Sequence, residues 1–147
     1  MKTRKHRILL VDADDKFRKL LKCIFNREGY EVCAVSSFEG GLEALRTNPE
    51  FSIIIAGNND CGMDGIRFLK KAKEISPASQ RILISNSEED EMKPSINEPW
   101  LLFGFHQRPA LASRILDTIN MAVKVFEDQQ RGNLTGPDAT GAPPAST

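Results

Sequence analysis

Short apolar runs recur along this chain, and amphipathic stretches separate them. Within each run neighbouring residues are apolar, which indicates strands buried on both faces of a sheet. The runs predict five strands, at residues 7–11, 30–35, 51–56, 81–85 and 100–105. The longest runs have about five residues, far fewer than the roughly 20 that would span a bilayer, so we expect no membrane segment.

Apolar residues at helical spacing occupy the stretches between these runs. After the first run, Phe17 and Leu21 begin such a pattern, and Asp14 is suited to cap the helix. Gly29 is suited to end that helix, and Ser37 to cap the second one. Asp64 is in turn expected to cap the third helix. The last pattern starts after residue 109 and predicts a long helix.

Five strands alternating with five helical segments predict an α/β fold, a single doubly wound, flavodoxin-like five-stranded parallel sheet with helices on both faces. Residues 88–99 are acidic and contain two prolines, so any helix there is expected to be short or irregular. From residue 129 to 147 the chain turns to Gly, Pro, Ala, Ser and Thr. We therefore predict a domain at 1–128 and a disordered tail at 129–147.

The charge balance and the cysteines indicate which kinds of partner and which cell compartment to expect. Lys plus Arg and Asp plus Glu both number 20, which argues against a nucleic-acid binder that relies on overall charge. The basic residues 2–7 are interpreted as a solvated leader, and no apolar segment of the secretory type follows them. Three cysteines (Cys23, Cys33 and Cys61) without a CxxC motif suit a reducing cytosol. We expect a cytoplasmic protein, with no DNA-binding domain after residue 128.

The residues that follow the predicted strands carry the candidate chemistry. Parallel sheets of this type bind ligands at the carboxyl ends of their strands. Asp12 and Ala13 follow the first strand, and Gly57 follows the third. Ser85 ends the fourth, and Arg108 comes shortly after the fifth.

Taken in order, several pieces of the sequence resemble the response-regulator receiver domain of two-component signalling, over roughly residues 7–127. They are ILLVDAD after the basic start, GYEV at the second strand, Met63-Asp64-Gly65, ILIS at the fourth strand and Arg108-Pro109. Each piece alone is a weak motif. Their order and spacing together make the resemblance specific.

The resemblance implies a phosphorylation pocket. In the family an Asp at the end of the third strand, six residues before the Met of MDG, accepts a phosphoryl group from a histidine kinase. Two acidic residues after the first strand help to hold a divalent cation, which favours oxygen ligands. A hydroxyl after the fourth strand and a lysine before a proline bind the phosphoryl group, whose charge needs cationic partners.

This sequence departs from that pattern at the decisive positions. Six residues before Met63 stands Gly57, the second acid is Ala13, and the lysine position holds Arg108. Two pocket residues keep the family's types, Asp12 and Ser85. The resemblance therefore implies a degenerate receiver with no enzymatic activity, no metal and no cofactor. It would act by contact with a signalling protein, such as a histidine kinase or another regulator, or with a second copy as a homodimer.

In the family, the fourth helix, the fifth strand and the fifth helix form the output and dimer surface. Carried over, that surface includes Glu88, Glu89, Asp90, Glu91, Trp100 and Phe105. Phe105 lies near the family's switch aromatic but has no hydroxyl. The alternative, without a functional role, is that the acidic run is solvated and that the aromatic residues belong to the core. His106 is interpreted as a solvated loop residue.

Two other functions stay open. One is a working switch in which Asp60 or Asp12 accepts the phosphoryl group. The other is a flavodoxin-like protein that binds a flavin phosphate, which the acidic run Asp12–Asp15 disfavours because it would repel a phosphate. For the degenerate pocket we further expect Arg108 to pair with Asp12.

Overall fold

The computed structural model describes residues 6–48, 50–58, 63–85, 103–107 and 111–135. Five strands and four helices lie within these ranges. In chain order they are β1 (Arg7–Val11), α1 (Asp15–Arg27), β2 (Glu31–Val35), α2 (Phe38–Thr47), β3 (Ile53–Asn58), α3 (Met63–Ile75), β4 (Gln80–Ser85), β5 (Gly104–Gln107) and α4 (Ala112–Thr135).

The five strands form one parallel sheet in the order β2-β1-β3-β4-β5. The chain therefore steps one way from β1 to β2 and the other way from β2 through β5. Right-handed crossovers then place the connecting helices on both faces. This confirms the predicted α/β fold.

Alternate residues of the central strands serve two separate cores. Leu9 and Ile54 face the side that α2 and α3 cover, whereas Ile8 and Ile55 face the side that α1 and α4 cover. All four side chains are fully buried. Burying an Ile or Leu side chain stabilises a fold by about 1.5–3 kcal/mol, so the two-faced strands supply much of the stability.

The predicted helix ends are largely confirmed. The Asp14 side chain accepts a hydrogen bond from the Phe17 amide, and Ser37 accepts one from the Gly40 amide. Helix α1 ends at Arg27, and Gly29 follows with a φ of 97°, a conformation that favours glycine. The prediction for Asp64 is wrong, because α3 begins at Met63 and Asp64 already lies inside the helix.

Two strands end later than predicted. Strand β3 continues through Gly57 to Asn58, because both residues still pair with β4, Gly57 opposite Ile84 and Asn58 opposite Ser85. Strand β5 covers Gly104–Gln107, so it extends two residues further than predicted. Residues 100–102, where its start was predicted, lie outside the described residues.

Helix α4 also extends beyond the predicted domain boundary at residue 128 and ends at Thr135. Gln129, Gln130 and Arg131 are good helix formers, and the next proline is Pro137. The Gln80 side chain also donates a hydrogen bond to Gln129 across 3.2 Å. Residues 136–147 of the predicted tail lie outside the described part of the chain.

Strand β5 and helix α4 approach each other closely at Gly104. A Cβ atom at Gly104 would lie 2.8 Å from Cγ2 of Thr118. The Thr118 hydroxyl donates to the carbonyl of Arg114, so His106 Nε2 is the donor in its 2.8 Å bond to Thr118 Oγ1. His106 is thus a half-buried strand residue and not a loop residue. Burial, followed by the charge of Arg114, lowers its pKa.

Candidate functional site at the carboxyl ends of the strands

The sheet brings three of the predicted pocket residues to one edge. Val11 pairs with Ala56, so Asp12 and Gly57 stand one residue further along two neighbouring strands. Ser85 ends β4 opposite Asn58, the residue after Gly57. The parallel register therefore places Asp12, Gly57 and Ser85 at the same end of the sheet.

Asp12 is fully buried and makes hydrogen bonds with backbone groups of β2 and of its own loop. Its amide donates to the Val35 carbonyl at 3.1 Å, and its Oδ1 accepts from the Asp14 amide at 2.8 Å. A carboxylate removed from water is stable only with such partners. The loop after β1 is therefore folded around this carboxylate.

Arg18 is a neighbour of this pocket that the sequence analysis missed. Its Nη1 donates to the carbonyl oxygen of Asp12 at 2.7 Å, and Nη2 donates to Asp15. Its side chain is only 16% exposed. The periodicity of α1 marks Arg18 simply as a polar position, so no sequence signal indicates that it reaches back to the strand end.

Two of the other predicted pocket positions carry no polar side chain. Gly57 is buried within β3 and has no side chain, and Ala13 is exposed with only a methyl group. Ser85 keeps its hydroxyl and is fully buried. Arg108 lies outside the described residues, so its expected pairing with Asp12 stays a prediction.

Of the remaining predicted site residues, one lies within the described residues and the others lie outside them. Phe105 is half-buried and packs against the core that α2 and α3 cover. Glu88, Glu89, Asp90, Glu91 and Trp100 of the predicted output surface, and Asp60 of the alternative acceptor, lie outside the described residues. Their roles stay predictions.

Neither a metal centre nor a membrane segment is visible in the described ranges. No group of three or more His, Cys, Asp or Glu residues there is arranged to hold a metal ion. No helix among them is both long enough and apolar enough to cross a membrane.

A second polar cluster lies at the opposite, amino end of the sheet. His6 Nε2 and Glu127 Oε2 are 2.7 Å apart, as are His6 Nδ1 and Ser52 Oγ. Because a carboxylate only accepts, Nε2 is the donor to Glu127. The Phe126 ring meets the imidazole edge to face. His6 is only 8% exposed, so its assignment to a solvated leader is wrong. Residues 2–5 of that leader lie outside the described ranges.

The same arrangement of elements recurs in known proteins. The family model for response regulator receiver domains matches residues 8–98. The chemotaxis protein CheY of Bacillus subtilis is 31% identical over 117 residues, which cover 78% of this chain and 95% of CheY. The hydrogenase transcriptional regulatory protein HoxA of Cupriavidus necator is 26% identical over 118 residues, covering 80% of this chain but only 24% of HoxA. A solved CheY-like receiver domain from Methanospirillum hungatei superposes with a TM-score of 0.76 at 24% identity, covering 86% of this chain and 99% of that one.

Proposed function

The chain belongs to the response regulator receiver family of two-component phosphorelay signalling, and we propose that it is a member that has lost phosphoryl acceptance. In this proposal it acts by protein–protein contact, without phosphorylation and without enzymatic activity. Its partner is another signalling protein, such as a histidine kinase or a second regulator, in the cytosol.

The observation that carries the proposal is the glycine at position 57. It stands on β3, one strand position past the Val11–Ala56 pair, at the sheet edge where Asp12 and Ser85 are buried. Phosphoryl transfer to a receiver needs a carboxylate at that point, and glycine offers no nucleophile. The surrounding residues Asp12 and Ser85 keep the pocket polar but do not replace the missing group.

The cation requirement of the reaction supports the same conclusion. Ala13 removes one carboxylate, and affinity for a hard cation depends on the number of charged oxygen ligands. The guanidinium of Arg18 occupies the carbonyl oxygen of Asp12. A divalent cation placed beside it would be repelled at short range. With Ala13 and Gly57 in place, Asp12 is the one carboxylate left of the three that the family uses.

Phosphoryl uptake from acetyl phosphate with magnesium tests the proposal directly. Intact-mass spectrometry of the purified full chain is expected to show no added phosphoryl group. The variant Ala13→Asp/Gly57→Asp restores both missing carboxylates and serves as the matched control for donor and buffer.

A phosphoryl gain on the unmodified chain that is lost at alkaline pH would overturn the proposal. If peptide mapping placed that group on Asp60 or Asp12, the chain would be a working switch with a relocated acceptor. Hydrogen–deuterium exchange of this chain, measured with and without a histidine kinase and in the absence of a phosphoryl donor, then reports whether the two proteins make contact without phosphorylation.

A further inference from the structure

Helices α1 and α4 lie side by side over one side of the sheet. Both pack against the core that contains Ile8 and Ile55, and the two helices contact each other. The Tyr30 hydroxyl, which follows α1, also donates to the Asn120 side chain of α4. We call their solvent-exposed surface the α1/α4 face, and its exposed basic and large apolar residues are Lys16, Lys19, Leu20, Lys22, Arg27, Met121 and Lys124.

Positive charge is concentrated on the α1 part of this face. Helix α1 has five basic residues and one acidic residue, Asp15, which gives it a charge of +4 (5 − 1). The basic and acidic residues of α4 balance at three each, whereas α2 carries −1 (1 − 2) and α3 carries +2 (4 − 2). Helix α1 is therefore the most basic helix among those described. Two exposed acids, Asp14 and Glu28, border it at its ends, so the cations lie between them.

Most of this positive charge has no counterpart within the described part of the chain. Asp15 pairs with both Arg18 and Lys19, the latter at 3.1 Å. Across the described ranges, Lys16, Lys22 and Arg27 form no ion pair. All three are exposed, so they face solvent without a neutralising partner in that part of the chain.

Exposed apolar side chains accompany these cations. The described part of the chain exposes three large apolar residues, Leu20 (52%), Leu111 (67%) and Met121 (61%). Leu20 lies one helical turn after Lys16 on α1, Met121 lies on α4, and Leu111 directly precedes α4. Among the described residues, α2 and α3 expose no large apolar side chain. The apolar exposure and the unpaired cations of α1 therefore fall on the same side of the sheet.

We propose that the α1/α4 face binds peripherally to an anionic phospholipid surface. The basic side chains of α1 contact the lipid phosphates, and Leu20 and Met121 enter the boundary between headgroups and acyl chains. Lysines suit such a surface because their aliphatic stems can lie along apolar groups while the ammonium stays in water. The inference goes beyond the proposed function, because it adds a surface on which the chain is recruited.

The composition of the face favours lipid over other anionic partners. Protein interfaces are typically rich in arginine and aromatic residues and poor in lysine. Three of the four exposed basic residues of α1 are lysines, Lys16, Lys19 and Lys22. Sites for single-stranded nucleic acid add aromatic residues that stack on bases, and no exposed residue of α1 or α4 in the described ranges is aromatic. A lipid surface needs neither feature, because it presents a layer of negative charge without fixed geometry.

Three unpaired cations make this contact weak and dependent on salt. A Lys or Arg near an anionic membrane strengthens binding roughly fivefold, and the effect falls off within a Debye length. Half-maximal binding is therefore expected at roughly millimolar accessible lipid. Salt shortens the Debye length, so most of the binding should be lost at high salt.

Co-sedimentation of the full chain with vesicles, at low and high salt, tests the proposal. The probe is vesicles of phosphatidylcholine and phosphatidylglycerol in equal amounts, with vesicles of phosphatidylcholine alone for comparison. We expect the chain to sediment with the anionic vesicles at low salt and to stay in solution with the neutral ones. Lys16→Gln/Lys22→Gln removes two unpaired cations, so the affinity should fall on the order of 25-fold.

A matched variant controls for net charge. Arg46→Gln/Lys71→Gln removes two exposed basic residues from α2 and α3, on the other side of the sheet, and should bind as the unmodified chain does. Circular dichroism checks that both variants are folded. An equal loss in the two variants would overturn the proposal, as would a chain that ignores anionic vesicles at low salt or binds neutral ones equally well.

A second comparison separates lipid from a soluble polyanion. Leu20→Gln/Met121→Gln removes apolar side chains but no charge, so vesicle affinity should fall on the order of fivefold while binding to polyglutamate or duplex RNA stays the same. Unchanged vesicle affinity in this variant contradicts the proposal, as does polyglutamate or RNA binding as tight as vesicle binding at equal anion concentration. Phosphoryl uptake is read by mass and vesicle binding by sedimentation, so this inference and the proposed function fail separately.

Discussion

The two ends of the sheet both bury polar groups, but they do so with different outcomes. At the amino end, His6, Ser52 and Glu127 satisfy one another through side-chain hydrogen bonds. At the carboxyl end, Asp12 and Ser85 are fully buried near Gly57, the position at which we propose that the acceptor has been lost. The polar groups of the amino end are satisfied within their own cluster, whereas those of the carboxyl end belong to the proposed degenerate pocket.

This difference shows that a buried polar residue does not by itself indicate chemistry. Ser79 at the amino end is fully buried. Its hydroxyl tolerates this burial because it donates to the Phe51 carbonyl at 2.5 Å and lies 2.6 Å from Ser76 Oγ. Asp12 is similarly held by its own loop. The burial of Asp12 is therefore explained by the fold of its own loop and does not by itself indicate a reactive site.

The largest expected effect is at the amino end. His6→Ala removes two hydrogen bonds and leaves the buried Ser52 hydroxyl unpaired, so we expect a loss of about 2–4 kcal/mol in the free energy of unfolding. Glu127→Gln should cost less than about 1 kcal/mol because Glu127 is 42% exposed and the amide oxygen can still accept. Urea unfolding followed by circular dichroism measures both. A His6→Ala variant within about 0.5 kcal/mol of wild type would show that the cluster contributes nothing.

A smaller effect is expected from coupling across the carboxyl end. If Arg108 pairs with Asp12, the single change Asp12→Asn or Arg108→Met should destabilise the fold more than the double change does, because a single change leaves the other charge alone. Unfolding free energies of the two variants and the double variant should give a coupling of about 0.5–3 kcal/mol. Strictly additive changes in unfolding free energy would mean that Asp12 and Arg108 do not touch. Arg108 would then point to solvent or to a partner protein.

The smallest effect is the response to magnesium. With Ala13, Gly57 and the Arg18 guanidinium at this end, we expect no magnesium-specific rise in melting temperature beyond that of sodium at equal ionic strength. The variant Ala13→Asp/Gly57→Asp adds two carboxylates beside Asp12 and should gain such a rise, since a bound ligand stabilises the folded state. A clear rise in the unmodified chain would mean that the cation site is misassigned.

Much of the fold could be predicted because its signals are local. Continuous apolar runs predicted the strands. Asp14 and Ser37 indicated helix starts, and Gly29 indicated a helix end. The error at the end of β3 arises because pairing between strands overrides local preference. Gly57 reads as a loop residue, yet its hydrogen-bonded neighbour β4 keeps it in β3.

From the sequence, the site could be predicted only at the positions that the family's motifs cover. Asp12, Gly57 and Ser85 follow from the strand ends, and the parallel register brings them together. The contact of Arg18 with the Asp12 carbonyl depends on the position of α1 over the strand end, which no spacing rule supplies. The His6–Glu127 pair joins residues 121 positions apart, so a basic amino-terminal stretch gave no sign of it.

The absence of a side chain at Gly104 has a consequence for genetics. Any residue other than glycine at this position must push α4 away from β5 or displace Thr118, since a Cβ would lie 2.8 Å from its methyl group. The bond from His106 to that same threonine resists the displacement. A screen for conditional alleles would thus find Gly104 a sensitive position, where even alanine disturbs the packing of α4 on β5.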